Sequence, residues 1–369
     1  MICVIRNLRG SLVLAMAFSL PAFAKCPVAE GTTVVVKAIG DLHVDTTGRE
    51  ASVDVQVDNK AVQVQENCRK DIVQFIGNAP DQMRSGAVWK IVAPKNVHLD
   101  LVTMAGSVIV GDVDGNAIIR TAGGSVTAGN IKGTAAIITQ GGFIKSGNIG
   151  GNAELRSQGG TLEVGDIGGN AEFQTTAGII RAGNVTGSVK AQGGRAITIR
   201  RAGEVQATTN AGDISIDDAG RINAKSGGGS ITSRRVRGPF QGHTDSGDIR
   251  LDSAASWVEA STGTGNIFVR LVPDSLDGDL HMNLQAGVGN VTVHLPPRLR
   301  ASIDAVVQRP AFQSDQISSE FPPVPAAPPV QALGPRGFYT ATRSESLING
   351  GGNKIVLHTG LGKINIRRN

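Results

Sequence analysis

An 18-residue unit repeats itself between Gly106 and Gly178, and few folds tolerate such a pattern. The copies read GSVIVGDVDGNAIIRTAG from Gly106, GSVTAGNIKGTAAIITQG from Gly124, GFIKSGNIGGNAELRSQG from Gly142 and GTLEVGDIGGNAEFQTTA from Gly160. Self-similarity at a fixed short period marks stacked units, each of which buries its apolar face only against its neighbours. Counted from the opening glycine, the apolar positions of the first copy are Val108, Val110, Val113, Ala117 and Ile119. Between them lie polar or small residues. Alternation of this kind is the period of a strand, and no stretch carries a helical period. Two short strands per turn, closed by glycines that accept positive φ or close backbone approach, predict an all-β, right-handed parallel β-solenoid.

The pattern weakens but persists through 106–308, as in Gly212-Asp-Ile-Ser-Ile, Gly247-Asp-Ile-Arg-Leu and Gly289-Asn-Val-Thr-Val. Residues 25–105 alternate less regularly and read as an N-terminal antiparallel β cap, because an open β-stack offers unpaired N–H and C=O groups to any strand. Residues 309–346 break the pattern with a proline-rich excursion (Arg309–Pro335), since proline donates nothing to a β-ladder. The pattern returns over 347–369, read as a closing turn.

Residues 1–24 have the form of a signal peptide: Arg6 and Arg9, an apolar run from Leu12 to Leu20, and the small-x-small Ala22-Phe23-Ala24. No segment reaches the roughly 18 apolar residues of a membrane-spanning helix. Cys3 leaves with the leader, and Cys26 with Cys68 is the disulfide pair expected of an exported chain. The 36 basic and 31 acidic side chains, two of the bases within the leader, leave a mild positive charge. Nucleic-acid binding calls for a concentrated basic face and is not expected.

One corner of the turn carries Asp112, Asn130, Asn148, Asp166 and Asn184, and further on Arg200-Arg201, Asp217-Asp218, Arg234-Arg235, Asp252 and Arg270. Charges of alternating sign stacked turn upon turn predict a structural ladder, because like charges stacked directly repel. The competing reading is an arginine-rich anion site, reinforced by Arg237 and Lys225 and opposed by the neutralising acids. The Asp/Asn corners lack the Gly-Gly-x-Gly-x-Asp pattern of calcium-binding repeats and are expected to cap their own turns. No metal or cofactor is expected, and the six histidines show no metal spacing. For catalysis the candidates are Glu154 with Glu172, one turn apart on one face, and His243 with Asp245 and Asp248. Trp89, Trp257 and Tyr339 are the only Trp and Tyr residues, too few for a glycan groove lined with aromatic platforms.

The Gly-Asp-Ile-x-Leu turns, the entry segment Trp89–Gly106 and the ending Leu347-Ile-Asn-Gly-Gly-Gly-Asn-Lys-Ile-Val-Leu-His-Thr-Gly-Leu-Gly-Lys-Ile-Asn-Ile resemble the bacterial family called the putative adhesin domain, a glycine-punctuated β-solenoid of unknown function. The resemblance covers about residues 90–369 and brings no catalytic residues with it. It implies a periplasmic, cell-surface or secreted protein. The expected role is a non-catalytic scaffold or adhesion-type binding module of the envelope, with an envelope, matrix or glycan partner and self-association through the solenoid ends. A polysaccharide-modifying β-helix enzyme is the alternative.

Overall fold

The computed structural model describes residues 22–78, 86–310, 316–322, 330–334 and 337–369. The leader up to residue 21 lies outside them, as does much of the proline-rich stretch. The described chain is all β, without a helix, and its strands join in one long, mostly parallel sheet. In the regular region a three-residue strand (Val126–Ala128), a bridging residue (Ile131) and a five-residue strand (Ala135–Thr139) make one turn. Each pairs in parallel with its equivalent one repeat later: Val126 with Ile144, Ile131 with Ile149, Ala135 with Ala153. Two strands per turn were expected. The structure adds a third line of pairing through Val113, Ile131, Ile149, Ile167 and Val185, whose apolar period shows in the sequence but which, one residue wide, does not read as a strand. These residues point inward with Val108, Val126, Ile144 and Leu162, all essentially fully buried.

The phase of the core is kept by compensation between neighbouring columns. Phe173 stands two residues from Ala171, whereas farther along Phe240 occupies the column of Ala171 and Gly242 that of Phe173. A Cβ on Gly242 would strike the Phe240 ring. Interiors packed to crystal-like density tolerate a large residue only where a small one answers it.

Glycine opens each turn mainly for want of space. A Cβ at Gly124, Gly142, Gly160 or Gly178 would run into the carbonyl of the glycine one repeat earlier, and only some equivalents, such as Gly106 (φ 148°) and Gly265 (φ 153°), also need a positive φ. Those carbonyls have a buried partner that sequence reading overlooked. Thr121, Thr139, Ser157 and Thr175 are nearly fully buried, and their hydroxyls donate to the carbonyls of Gly106, Gly124, Gly142 and Gly160 at 2.7–2.9 Å. The column satisfies backbone groups that water does not reach.

Both ends are built out of chain order. At the N-terminal end Thr33–Ala38 lies between Ile72–Asn78 and His98–Thr103, parallel to both, and Gly40–Asp45 likewise lies between Ala87–Val92 and Val108–Val110. The expected antiparallel cap therefore shrinks to Ala22–Pro27, Ser52–Val57 and Gln63–Cys68. The rest of 25–105 continues the parallel stack. Alternation in the sequence is the same for parallel and antiparallel strands and does not separate them. Cys26 and Cys68 are joined in a disulfide 42 residues apart in sequence, as expected.

At the other end Asn353–Leu361 pairs with both Met282–Val288 and Ala301–Pro310, so the last turn is the penultimate layer rather than the seal. The outer layer is Ala301–Pro310, covered in turn by the antiparallel Gly337–Ile348. The glycine run of the ending makes this return possible. Asn349 (φ 52°), Gly350 (φ 85°) and Gly351 (φ 82°) form a left-handed turn, and the Asn349 amide donates to the carbonyls of Pro297 and Leu299 at 3.0 and 2.8 Å.

Candidate functional site

The Asp/Asn corner works between turns rather than within one. Asp112 Oδ1 accepts the backbone N–H of Asn130, Asn130 that of Asn148, Asn148 that of Asp166 and Asp166 that of Asn184, all at 2.7–2.9 Å. The expectation of side chains capping their own turns is corrected, because stacking brings the next turn's N–H nearer than the residue's own. The Asn184 N–H and amide on Asp166, helped by Arg200, hold its carboxyl below the ordinary aspartate value. The Oδ1 acceptor of each of these side chains is spent on the fold.

The five-residue strands form the sheet whose outward face carries the enzyme candidates. Glu154 and Glu172 are in register as expected, but Arg156 lies between them at 2.8 and 3.1 Å, so they form an exposed ion-pair cluster. Its contribution is about 0–1 kcal/mol per pair. His243 meets Asp245 (Nε2–Oδ1 3.1 Å) and, on the next turn, Ser261 (Nδ1–Oγ 2.8 Å). Asp248 is not in this cluster, since it accepts the N–H of Asn266 at 2.6 Å. Ser261 escaped sequence reading because it stands 18 residues from His243; the signal was the repeat length itself. A Ser–His–Asp chain alone does not make an acyl-transfer centre, which needs donors preset for an oxyanion. Here backbone N–H groups in the flanking strands pair within the sheet, and Asp245 is 75 % exposed.

Beside this cluster runs a column rich in amides: Gln206, Asn223, Gln241, Glu259 and Asn283 stand in register on successive turns. Asn223 Nδ2 donates to Gln241 Oε1 at 3.3 Å, and Gln241 Nε2 donates to Glu259 Oε2 at 3.2 Å. With Lys225, His243 and Gln285, the residues Asn223, Gln241, Glu259 and Asn283 line a shallow depression of about 240 Å³. Trp257 stacks on His281 with ring centroids 5.2 Å apart, on the turn that also bears Glu259. The other Trp, Trp89, is fully buried, and its Nε1 has no acceptor among the described residues.

The charged corner holds a different site. Arg201, Asp218 and Arg235 are paired in register on three successive turns. Asp218, with its side chain 15 % exposed, takes Arg201 Nε at 3.3 Å and has Arg237 Nε 3.1 Å from its other oxygen. Asp217 reaches Arg234 at 3.8 Å. The ladder stops there. Register shifts between Leu251 and Ala254, Asp252 turns to Arg250 of its own strand at 2.8 Å, and Arg270 pairs in register with His294. Lys225 stands opposite His243 on the amide face and does not join the arginines. Arg201, Arg234, Arg235 and Arg237, with Asp218 and Asp274, line a cleft of about 480 Å³.

Among the described residues no three His, Cys, Asp or Glu side chains are grouped to hold a metal ion. What the outer surface offers is repeated polar and cationic groups at strand spacing.

No protein-family model and no curated protein matches the chain. Among solved structures it is similar to a putative cell adhesion protein from Clostridium sporogenes, at 9% identity and TM-score 0.20 over 95% of this chain and 100% of that one. It is likewise similar to a putative adhesin from Parabacteroides distasonis, at 15% identity and TM-score 0.27 over 75% and 98%. A putative adhesin from Bacteroides fragilis matches at 14% identity and TM-score 0.24 over 74% and 97%. These are the kind of protein that the turns and the ending resemble, and scores this low leave the functional argument to the geometry.

Proposed function

We propose that the chain is an exported, non-catalytic binding module of the adhesion type, built as a right-handed solenoid of about 18-residue turns. The hand follows from the near-universal right-handedness of parallel β crossovers, and export is supported by the disulfide, which persists in oxidising compartments. The observation that carries the function is the outward amide column. Gln206, Asn223, Gln241, Glu259 and Asn283 repeat at the turn spacing of about 4.8 Å, and Asn223, Gln241 and Glu259 are already ordered by hydrogen bonds between turns. Side-chain amides both donate and accept. A row of them suits a polymer whose hydroxyls also repeat, a glycan or matrix chain, and preordering lowers the entropy cost of binding.

The test is an array of glycans and matrix polymers probed with the disulfide-bonded protein lacking its leader, scoring retained protein and released products together. Binding without product supports the module. Release of oligosaccharides would replace it with the enzyme reading and return attention to Glu154, Glu172 and His243.

A further inference from the structure

The arginine cleft is separate from the amide face and is not accounted for by it. Its residues lie at the corner of the turn, five positions before the amide column on the same strands (Arg201 against Gln206, Asp218 against Asn223). A purely structural ladder matches each cation with an anion. Here the match fails: Arg201 and Arg237 share Asp218, Arg234 has only Asp217 at 3.8 Å, and Arg235 has no ion pair among the described residues. Asp218 holds Arg201 and Arg237 through Nε, the inner edge of each guanidinium. The Nη donors of both are left for other partners, and the arginine side chains are 48–73 % exposed where they pair. A guanidinium fork held from behind matches the two oxygens of a carboxylate or sulfate. Arg201 and Arg235 lie two turns apart, about 9.6 Å at strand spacing, so the cleft meets anionic groups that recur along a chain better than it meets a single small ion. Both oxygens of Asp218 are engaged, Oδ2 by Arg201 and the buried Oδ1 by Arg237, which fixes the two guanidinium groups before a ligand arrives. Anionic groups that recur along a chain at this spacing describe an acidic polysaccharide.

We infer that this cleft binds an acidic glycan, its carboxylate or sulfate groups seated on Arg201, Arg234, Arg235 and Arg237, with Asp218 as the positioning carboxylate. The inference takes the exported setting from the binding-module reading but stands on its own surface.

The experiment is titration calorimetry of the disulfide-bonded protein in physiological salt with oligogalacturonate, a sulfated heparin oligosaccharide, carboxyl-reduced oligogalacturonate, inorganic sulfate and a short DNA duplex. The two acidic oligosaccharides separate carboxylate from sulfate as the preferred group. At least one is expected to bind, and the reduced oligomer and inorganic sulfate are not. Arg235→Gln, at an exposed side chain without an ion pair, is expected to weaken binding about tenfold, the worth of one charge-assisted hydrogen bond. Arg234→Gln is the second variant should the first fold poorly, and Gln241→Ala on the amide face is expected to leave acidic binding unchanged. Loss in Gln241→Ala with Arg235→Gln silent would move the ligand to the amide face and sink the proposal. So would silence from both acidic oligosaccharides, or equal binding of the DNA duplex. A neutral glycan that binds while the acidic ones do not would leave the binding module standing and remove only the cleft.

Discussion

Replacing Thr139 by valine isolates the buried hydroxyl column, because valine keeps the shape and removes only the polar group. Thr139 is 2 % exposed. Its hydroxyl donates to the Gly124 carbonyl at 2.7 Å and accepts the Gly142 N–H at 3.3 Å. No cavity opens, so the cost comes from two hydrogen bonds of about 1 kcal/mol each, or about 2 kcal/mol in all. Thr139→Ser keeps both bonds, as Ser157 does one turn later, and loses a methyl group worth about 0.8 kcal/mol. The expected order of stability is therefore wild type, then serine, then valine. Urea unfolding followed by circular dichroism gives the global number. Hydrogen exchange at the Gly142 amide gives the local one, which matters because stacked repeats open in parts. A valine variant as stable as the wild type, or more stable than the serine variant, would refute the role given to the column.

Breaking the disulfide with Cys26→Ser and Cys68→Ser is expected to cost about 4 kcal/mol from the loop-entropy relation for a 42-residue separation, read as a lower urea midpoint that reductant reproduces in the wild type. Gly160→Ala is expected to destabilise by about 1–3 kcal/mol, because its Cβ meets the Gly142 carbonyl and backbone must move; an unchanged melting curve would contradict the packing argument. The Asp166 carboxyl is held below its ordinary value in the folded state, so its contribution is complete above the unfolded value near 3.9 and fades as pH falls through the lower folded value. Asp166→Asn keeps the acceptor for Asn184, as Asn130 and Asn148 do for their neighbours. It is expected to flatten the acid end of the stability–pH curve, and an unaltered acid limb would show that Asp166 titrates without consequence.

The repeat was legible because stacking turns every structural need into a column with an 18-residue period. Inward valines and isoleucines, opening glycines and the Asp/Asn corner all show in the sequence for that reason. The hydroxyl column was equally visible at Thr121, Thr139, Ser157 and Thr175, yet a buried hydroxyl looks like a surface one until the glycine carbonyl it bonds is in place. The order of layers at the two ends was not legible. Nothing local in Asn353–Leu361 says that it slips beneath Ala301–Pro310. The charged corner was half legible: the Arg201–Asp218–Arg235 alternation is in the sequence. The sequence does not separate Arg237, which lines the cleft, from Lys225, which stands in register with His243 on the amide face. Asp252 left the ladder because its carboxylate reaches Arg250 on its own strand, and a one-residue irregularity against the following strand, which alternation absorbs without trace, shifts the register before Arg270.

The most direct test of the binding-module account measures affinity for the best neutral glycan of the array in wild type and in Asn223→Ala/Gln241→Ala/Asn283→Ala. All three changes lie outside the core, so folding is checked by an unchanged melting curve. The account predicts binding without turnover that weakens at least about tenfold in the triple variant. Undiminished affinity, or products released by wild type, would contradict it.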